Sequence, residues 1–385
     1  MEKMIGEGGV NTLLLSTHID FQSTRDWGKL THANRDFFEC EGFNCDVDLK
    51  YYEDTQIKPT KSKTTELASR DLFSEVARAA KKKGIQVYAL ILHRFPNVER
   101  YKEMNMRAVN GEIIPAILCH NHPEVRQFYK CLVDHLDAEY NLDGFCYALL
   151  DHYSLFGFQT LTDELANTLG IKRFANPEMG LSCFCDVCAA EAAQQGINVE
   201  KIKRGLMRGV KSGSIPGQVE KMTTADEAIR FLLDVPQYLE WLRFRSSIME
   251  RLHRELYEYI KEKEKHYTVG LDIYGAKDDW KYQTRFHKLA AYCDWIKPMF
   301  YSCTYDEPLS PQEIGDGVRL AKTLSGKPIF PGINCLASEP EDKIKEGIKH
   351  AMMSGADGLI LSWDYSLIPF SHLRIAKEQL EKHNG

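Results

Sequence analysis

No stretch of this sequence approaches the roughly 18 consecutive apolar residues that a membrane-spanning helix needs, so no span is expected. The chain also lacks a long basic run. With a net charge of −6, and with Lys81–Lys83 reading as the solvated end of a helix, nucleic acid and anionic membranes are excluded as partners. No G-x-G-x-x-G follows the first apolar run and no Walker A sequence occurs, which argues against a nucleotide cofactor. GEGG at 6–9 precedes a strand rather than following one, the wrong order for a phosphate-cradling turn. The opening MEKMIGEGGVNTLLLSTHID has too short an apolar core for a secretory signal, so the cytoplasm is the expected compartment. Cysteine is thinly spread and odd in number, 11 in all, and several copies sit in apolar runs as free thiols do.

What is present is ordinary globular chemistry. Of 385 residues, 43% are hydrophobic and 27% charged, enough apolar material for one large core. Eight short apolar runs recur: 10–21, 45–52, 85–95, 144–153, 267–275, 295–302, 328–335 and 358–366. Runs of that length, apolar on both faces, suit parallel strands covered by helices.

The segments between them have helical periodicity. HPEVRQFYKCLVDHLDAEY places Val125, Phe128, Leu132, Val133 and Leu136 on one stripe, and 236–264 reads as one long helix. Ser310-Pro-Gln-Glu313 and Ser338-Glu-Pro-Glu341 both read as capping boxes. Eight strand–helix units predict an α/β fold, a (β/α)₈ TIM barrel forming a single catalytic domain over 1–385. The connection after the fourth strand is anomalously long, and residues 155–234 form an insertion within the barrel. Long loops are usually functional or locally stapled.

LSCFCDVC reads as the staple, with a redox pair at Cys185 and Cys188 or unpaired loop thiols as the alternatives. Cys183, Cys185 and Cys188 offer three thiolates to one ion, and zinc requires a fourth ligand. Cys119, in the loop after the third strand, is the best candidate, with His120 and His122 as alternatives. Such a structural Zn²⁺ would tie two neighbouring loops and order the insertion without a core of its own.

This arrangement resembles the catalytic barrel of the family 42 β-galactosidases. Cys119-His-Asn-His-Pro, then Asp151, then Cys183-Phe-Cys-Asp-Val-Cys188 follow one another in that family's order. The resemblance implies a four-thiolate zinc site, a distant kinship with glycoside hydrolases, and room for a homo-oligomer. The departures lie at the catalytic positions. Leu150-Asp151 stands where the family has Asn-Glu, and PGINCLASE where it has a glutamate nucleophile. The zinc site therefore transfers, and the substrate does not.

In a barrel, reactive side chains project from the carboxyl ends of the strands. Those ends offer three carboxylates, Asp151, Asp272 and Asp364, as candidate catalytic residues. Two carboxylates flanking one bond perform glycoside hydrolysis, one protonating the leaving oxygen and the other attacking or activating water. Around them, His18, Tyr52, His93, Arg94, His152, Tyr153, Tyr274, Tyr301, Asn334, Trp363 and Tyr365 are candidate substrate contacts. Flat aromatic faces and hydrogen-bonding groups together suit a carbohydrate. The expected function is thus a glycosidase. A sugar or sugar-acid lyase or isomerase using His18, His93, His152 and Asp272 around a divalent metal is the first alternative, and a non-catalytic carbohydrate-binding barrel the second.

Overall fold

The computed structural model describes residues 1–17, 42–61, 69–92, 101–148, 150, 182–212, 225–263, 265–301, 309–361 and 368–384. Seven parallel strands form its main sheet: β1 (Thr12–Ser16), β2 (Gln86–Leu92), β3 (Gly144–Ala148), β4 (Thr268–Tyr274), β5 (Trp295–Phe300), β6 (Gly332–Ile333) and β7 (Ile360–Leu361). Each strand pairs with its predecessor in the chain, and the order never reverses. A doubly wound sheet must reverse at a switch point; a barrel must not. The winding is therefore of the barrel type. The curl of the sheet brings side chains of its first and last strands, Leu14 and Ile360, onto one interior cluster with Tyr88, Cys146 and Trp295. That interior is close-packed: a Cβ on Gly270 would lie 2.1 Å from the Trp295 ring.

Seven strands replace the eight expected among the described residues. The run 45–52 is not a strand, and β1 pairs directly with β2. Asp48 accepts a hydrogen bond from the Lys50 amide at 3.1 Å and starts a 3₁₀ turn over Leu49–Tyr52. A short side chain that satisfies a nearby backbone donor competes with the sheet ladder, and here it wins. Just before it, Gly42–Phe43 pairs with Thr60–Lys61 in a small separate ladder.

Helices cover the sheet where the apolar periodicity placed them. In the helix Pro123–Glu139, Val125, Phe128, Leu132, Val133 and Leu136 are all buried, and a long helix runs over Gln237–Lys261. The Ser310 capping box forms as expected. The Ser338 box does not: that helix begins at Glu341 with Pro340 as its cap and no side-chain bond. Pro311 directly follows its cap, whereas Pro340 would force Glu339 to be helical just before a proline, a conformation sterically disfavoured. No helix among the described residues is long and apolar enough to cross a membrane.

A second apolar core lies beside the first. Phe184 stacks on Trp241 with ring centroids 4.3 Å apart, and Val109, Ile202, Leu206 and Ile248 pack in the same cluster. It joins the segment 182–212, the long helix and a hairpin of Asn105–Arg107 and Ile113–Leu118. The described part of the inserted region therefore packs in an apolar core, contrary to the expectation that metal alone would order it.

Candidate functional site

Cys119 immediately follows the second strand of the hairpin. Ser182 bridges to Ala108 of the same hairpin, and the Phe184 amide donates to the Arg107 carbonyl at 2.8 Å. This backbone pairing carries Cys183 and Cys185 to Cys119. The helix Asp186–Gln194 begins just after Cys185 and places Cys188 in its first turn. All four thiols are free and buried, and their sulfur atoms lie within 4.8 Å of one another. Cys119 Sγ is 3.5 Å from both Cys188 Sγ and Cys185 Sγ. A disulfide would bring a pair to about 2 Å, whereas a tetrahedral ion with metal–sulfur bonds of about 2.3 Å spaces its ligands about 3.8 Å apart. The spacing fits a shared metal ion.

The alternatives for the fourth ligand are not gathered with these thiols. His122 Nδ1 instead accepts the Glu124 amide at 3.3 Å as the cap of Pro123–Glu139, and burial holds its ring below the ordinary histidine pKa. Within the thiol cluster, hydrogen bonds from Cys119, Cys183 and Cys188 hold Cys185 far below the usual thiol range. Cys119, bonded to Cys183 and Cys185, and Cys188, bonded first to Cys119, lie well above it. Binding of a metal ion at such a cluster requires the thiols to give up their protons.

Asp272 lies inside the main sheet. It stands opposite Lys297 in the β4–β5 ladder, with Lys297 Nζ 2.6 Å from Asp272 Oδ2 and side-chain exposures of 3% and 6%. Burial pushes the Asp272 carboxyl above its ordinary range, with the Lys297 ammonium pulling the other way. Burial likewise works against the charge on Lys297, but Asp272 outweighs it and holds the ammonium on. Asp272 Oδ1 is buried and has no hydrogen-bond partner among the described residues. Lys297 also lies 5.2 Å from the centre of the Tyr301 ring, and Gly332 makes room for that phenol: a Cβ there would sit 2.7 Å from the Tyr301 oxygen.

Replacing Lys297 by methionine is expected to lower stability by about 3–5 kcal/mol, because it strands a buried carboxylate. The double variant Asp272→Leu with Lys297→Met should recover most of that loss in a urea-unfolding cycle. A single-variant loss below about 1 kcal/mol would show that the pair is not held as a buried ion pair.

The remaining candidates divide sharply. Tyr274 stacks on Tyr282 at 3.7 Å between centroids, and together with Met299 and Tyr301 it forms a buried cluster one layer beyond Asp272 toward the carboxyl ends. A ring face covered in this way is not open to a sugar. Tyr52 is fully buried outside the sheet; its hydroxyl bonds His135 Nδ1 at 3.0 Å and its ring stacks on Phe128. The expectation that it marks a strand end fails with the strand itself. Asn334 Nδ2 donates to Glu339 at 2.7 Å, and its Oδ1 accepts the Leu336 amide. His18, His93, Arg94, Asp151, His152, Tyr153, Trp363, Asp364 and Tyr365 lie outside the described residues.

Sequence reasoning missed Lys297 and the hairpin, although both left signals. A lysine inside the apolar run WIKPMF needs a buried counter-charge. Asn110-Gly111 between two apolar segments is a hairpin turn signal, and Gly111 does adopt φ +89° there.

No family model matches this sequence, and no curated protein matches it. Solved structures do. An α-L-fucosidase isoenzyme 2 from Paenibacillus thiaminolyticus superposes on 99% of the chain at a TM-score of 0.55 and 11% identity. The PgaB (BpsB) glycoside hydrolase domain from Bordetella bronchiseptica superposes on 99% at 0.55 and 12% identity. A β-galactosidase from Bacillus circulans sp. alkalophilus superposes on 100% at 0.51 and 13% identity. The chain spans about half the length of the fucosidase and galactosidase, 45% and 53%, and 90% of the PgaB domain. The spread of these likenesses does not single out family 42. They show that the chain has the barrel-type α/β fold found in solved glycoside hydrolases.

Proposed function

We propose that this chain is a glycosidase, hydrolysing a glycosidic bond with two carboxylates at the carboxyl ends of its strands. The observation that carries this reading is the fold likeness. Over essentially the whole chain it runs to structures named as a fucosidase, a glycoside hydrolase domain and a β-galactosidase.

Asp272 supports a division of labour among the three candidate carboxylates. A carboxylate locked to a buried ammonium beneath a layer of packed aromatic rings fixes charge inside the sheet and is screened from a sugar. The chemistry then falls to Asp151 and Asp364, one as acid and the other as nucleophile or base. His18, His93, Arg94, His152, Tyr153, Trp363 and Tyr365 are the proposed contacts for sugar hydroxyls and ring faces.

The four thiols are read as a zinc site. A set of four thiolates at tetrahedral spacing suits zinc, and it leaves no open position for substrate, so the ion supplies structure and not catalysis. Purified chain should contain one zinc per molecule, with turnover indifferent to added Mg²⁺ or Mn²⁺.

A panel of aryl glycosides and oligosaccharides tests the activity itself. Hydrolysis of at least one is expected. Binding without turnover across the panel would move the assignment to a carbohydrate-binding barrel, and turnover that depends on an added divalent metal would move it to a lyase or isomerase.

A further inference from the structure

Four thiolates around a divalent ion leave two net negative charges in a buried place, and such charge is costly unless donors and cations face it. Two groups donate to the sulfurs directly. The Arg107 amide reaches Cys183 Sγ at 3.4 Å, and Asn121 Nδ2 reaches Cys188 Sγ at 3.7 Å. Asn121 is 1% exposed, and its amide fits in two orientations, of which only one turns N–H groups to the sulfur; the other would face it with a repelling oxygen.

Arg251 makes the choice. Its Nη2 donates to Asn121 Oδ1, and a guanidinium can only donate, so the amide oxygen is claimed and the N–H group is left for the sulfur. Arg251 is fixed in turn by Glu191. Nη1 donates to Oε1 at 2.9 Å and Nη2 to Oε2 at 2.8 Å, a two-pronged bond that sets the plane of the fork. Glu191 belongs to the helix Asp186–Gln194 that carries Cys188, and Asn121 lies two residues beyond Cys119. The circuit closes on the metal ligands themselves.

We propose that Arg251, on the long helix Gln237–Lys261, is the positioning residue of the four-thiol centre: by fixing the Asn121 amide it sets the affinity of the site for its metal. This rests on the reading of those thiols as a metal site. The partners that orient ligands in this way typically contribute 10–100-fold in affinity.

The test is titration of the metal-free full chain with Co²⁺, whose sulfur-to-metal absorption counts the thiolates bound, followed by displacement with Zn²⁺ in competition with a chelator. Asn121→Ala, Arg251→Met and Arg251→Lys should each bind about 10–100-fold more weakly while keeping the four-sulfur spectrum. The double variant Asn121→Ala with Arg251→Met should bind no more weakly than Asn121→Ala, because the arginine acts through the asparagine. Lysine retains the charge and much of the packing but not the fork, so Arg251→Lys guards against a folding defect. Affinities within twofold of the parent chain, losses that multiply in the double variant, or parental affinity in Arg251→Lys would each overturn the proposal. A parent chain that binds no Co²⁺ would instead overturn the metal reading, and this proposal with it.

Discussion

A Cys188→Ser chain is expected to lose its metal and, with it, on the order of 5 kcal/mol of stability, the damage falling on the second core and not on the main sheet. Binding energies of about 10–16 kcal/mol accompany structural zinc in small peptides that have no other means of folding. The loss here is smaller because two features hold without the ion. The Phe184–Trp241 stack and its neighbours are apolar contacts, and the Ser182–Ala108 bridge is backbone pairing. It remains large because all four sulfurs are buried within 4.8 Å of one another, where an ion that they share contributes to holding the segment in place. Metal content, urea unfolding and limited proteolysis check this together. The parent should resist cleavage between 182 and 212, whereas Cys188→Ser and chelator-stripped chain should be cut there with far-ultraviolet dichroism largely kept. Equal resistance in the stripped chain would show that the apolar core suffices to order this segment.

Asp151→Asn is expected to lower turnover by about 10²–10⁴-fold on substrates with a sugar leaving group, the range that positioned proton transfer contributes. The leaving group decides the interpretation. A general acid matters most when the departing oxygen is basic, so aryl glycosides with acidic phenols should be affected far less. The same replacement of the nucleophile or base should depress both kinds of substrate, because attack on the anomeric carbon does not depend on the leaving group's basicity in that way, so comparing Asp151→Asn with Asp364→Asn assigns the two roles. Asp272→Asn should behave differently again. It leaves Lys297 buried without its counter-charge, and its effect should appear as lost stability before lost chemistry. Near-parental turnover of a sugar–sugar bond by Asp151→Asn would remove that residue from the mechanism.

Most of the sheet was legible because parallel strands buried on both faces are continuous apolar runs, and seven of the eight proposed runs are strands. The eighth, CDVDLKYY, carries Asp46 and Asp48 within an otherwise apolar segment, and the turn chemistry of Asp48 overrode its hydrophobic content. Helix faces were legible for the same reason of period, but one of two similar caps failed on the placement of a single proline.

The gathering of the four thiols was legible because close spacing along the chain guarantees proximity for three of them, and the demand of a tetrahedral ion for a fourth ligand pointed to Cys119. Partners set by tertiary approach were not. Nothing in a one-dimensional pattern joins Arg251 to Asn121, or tells that Tyr274 will meet Tyr282 face to face in place of a sugar. Asp272 was selected for its place on a strand, which is right. Its partner on the next strand, Lys297, changes what it can do.

That the described strands of the main sheet pair in the order of the chain has a consequence for how the chain is made. Emerging from the ribosome, each strand finds its neighbour already waiting, so the sheet can assemble in the order of translation. The thiol centre cannot. Cys119 is synthesised 69 residues ahead of Cys188, which at about 5–20 residues per second is a delay of roughly 3–14 s. During that interval Cys119 waits without the three thiols it will meet, and the second core cannot close around them.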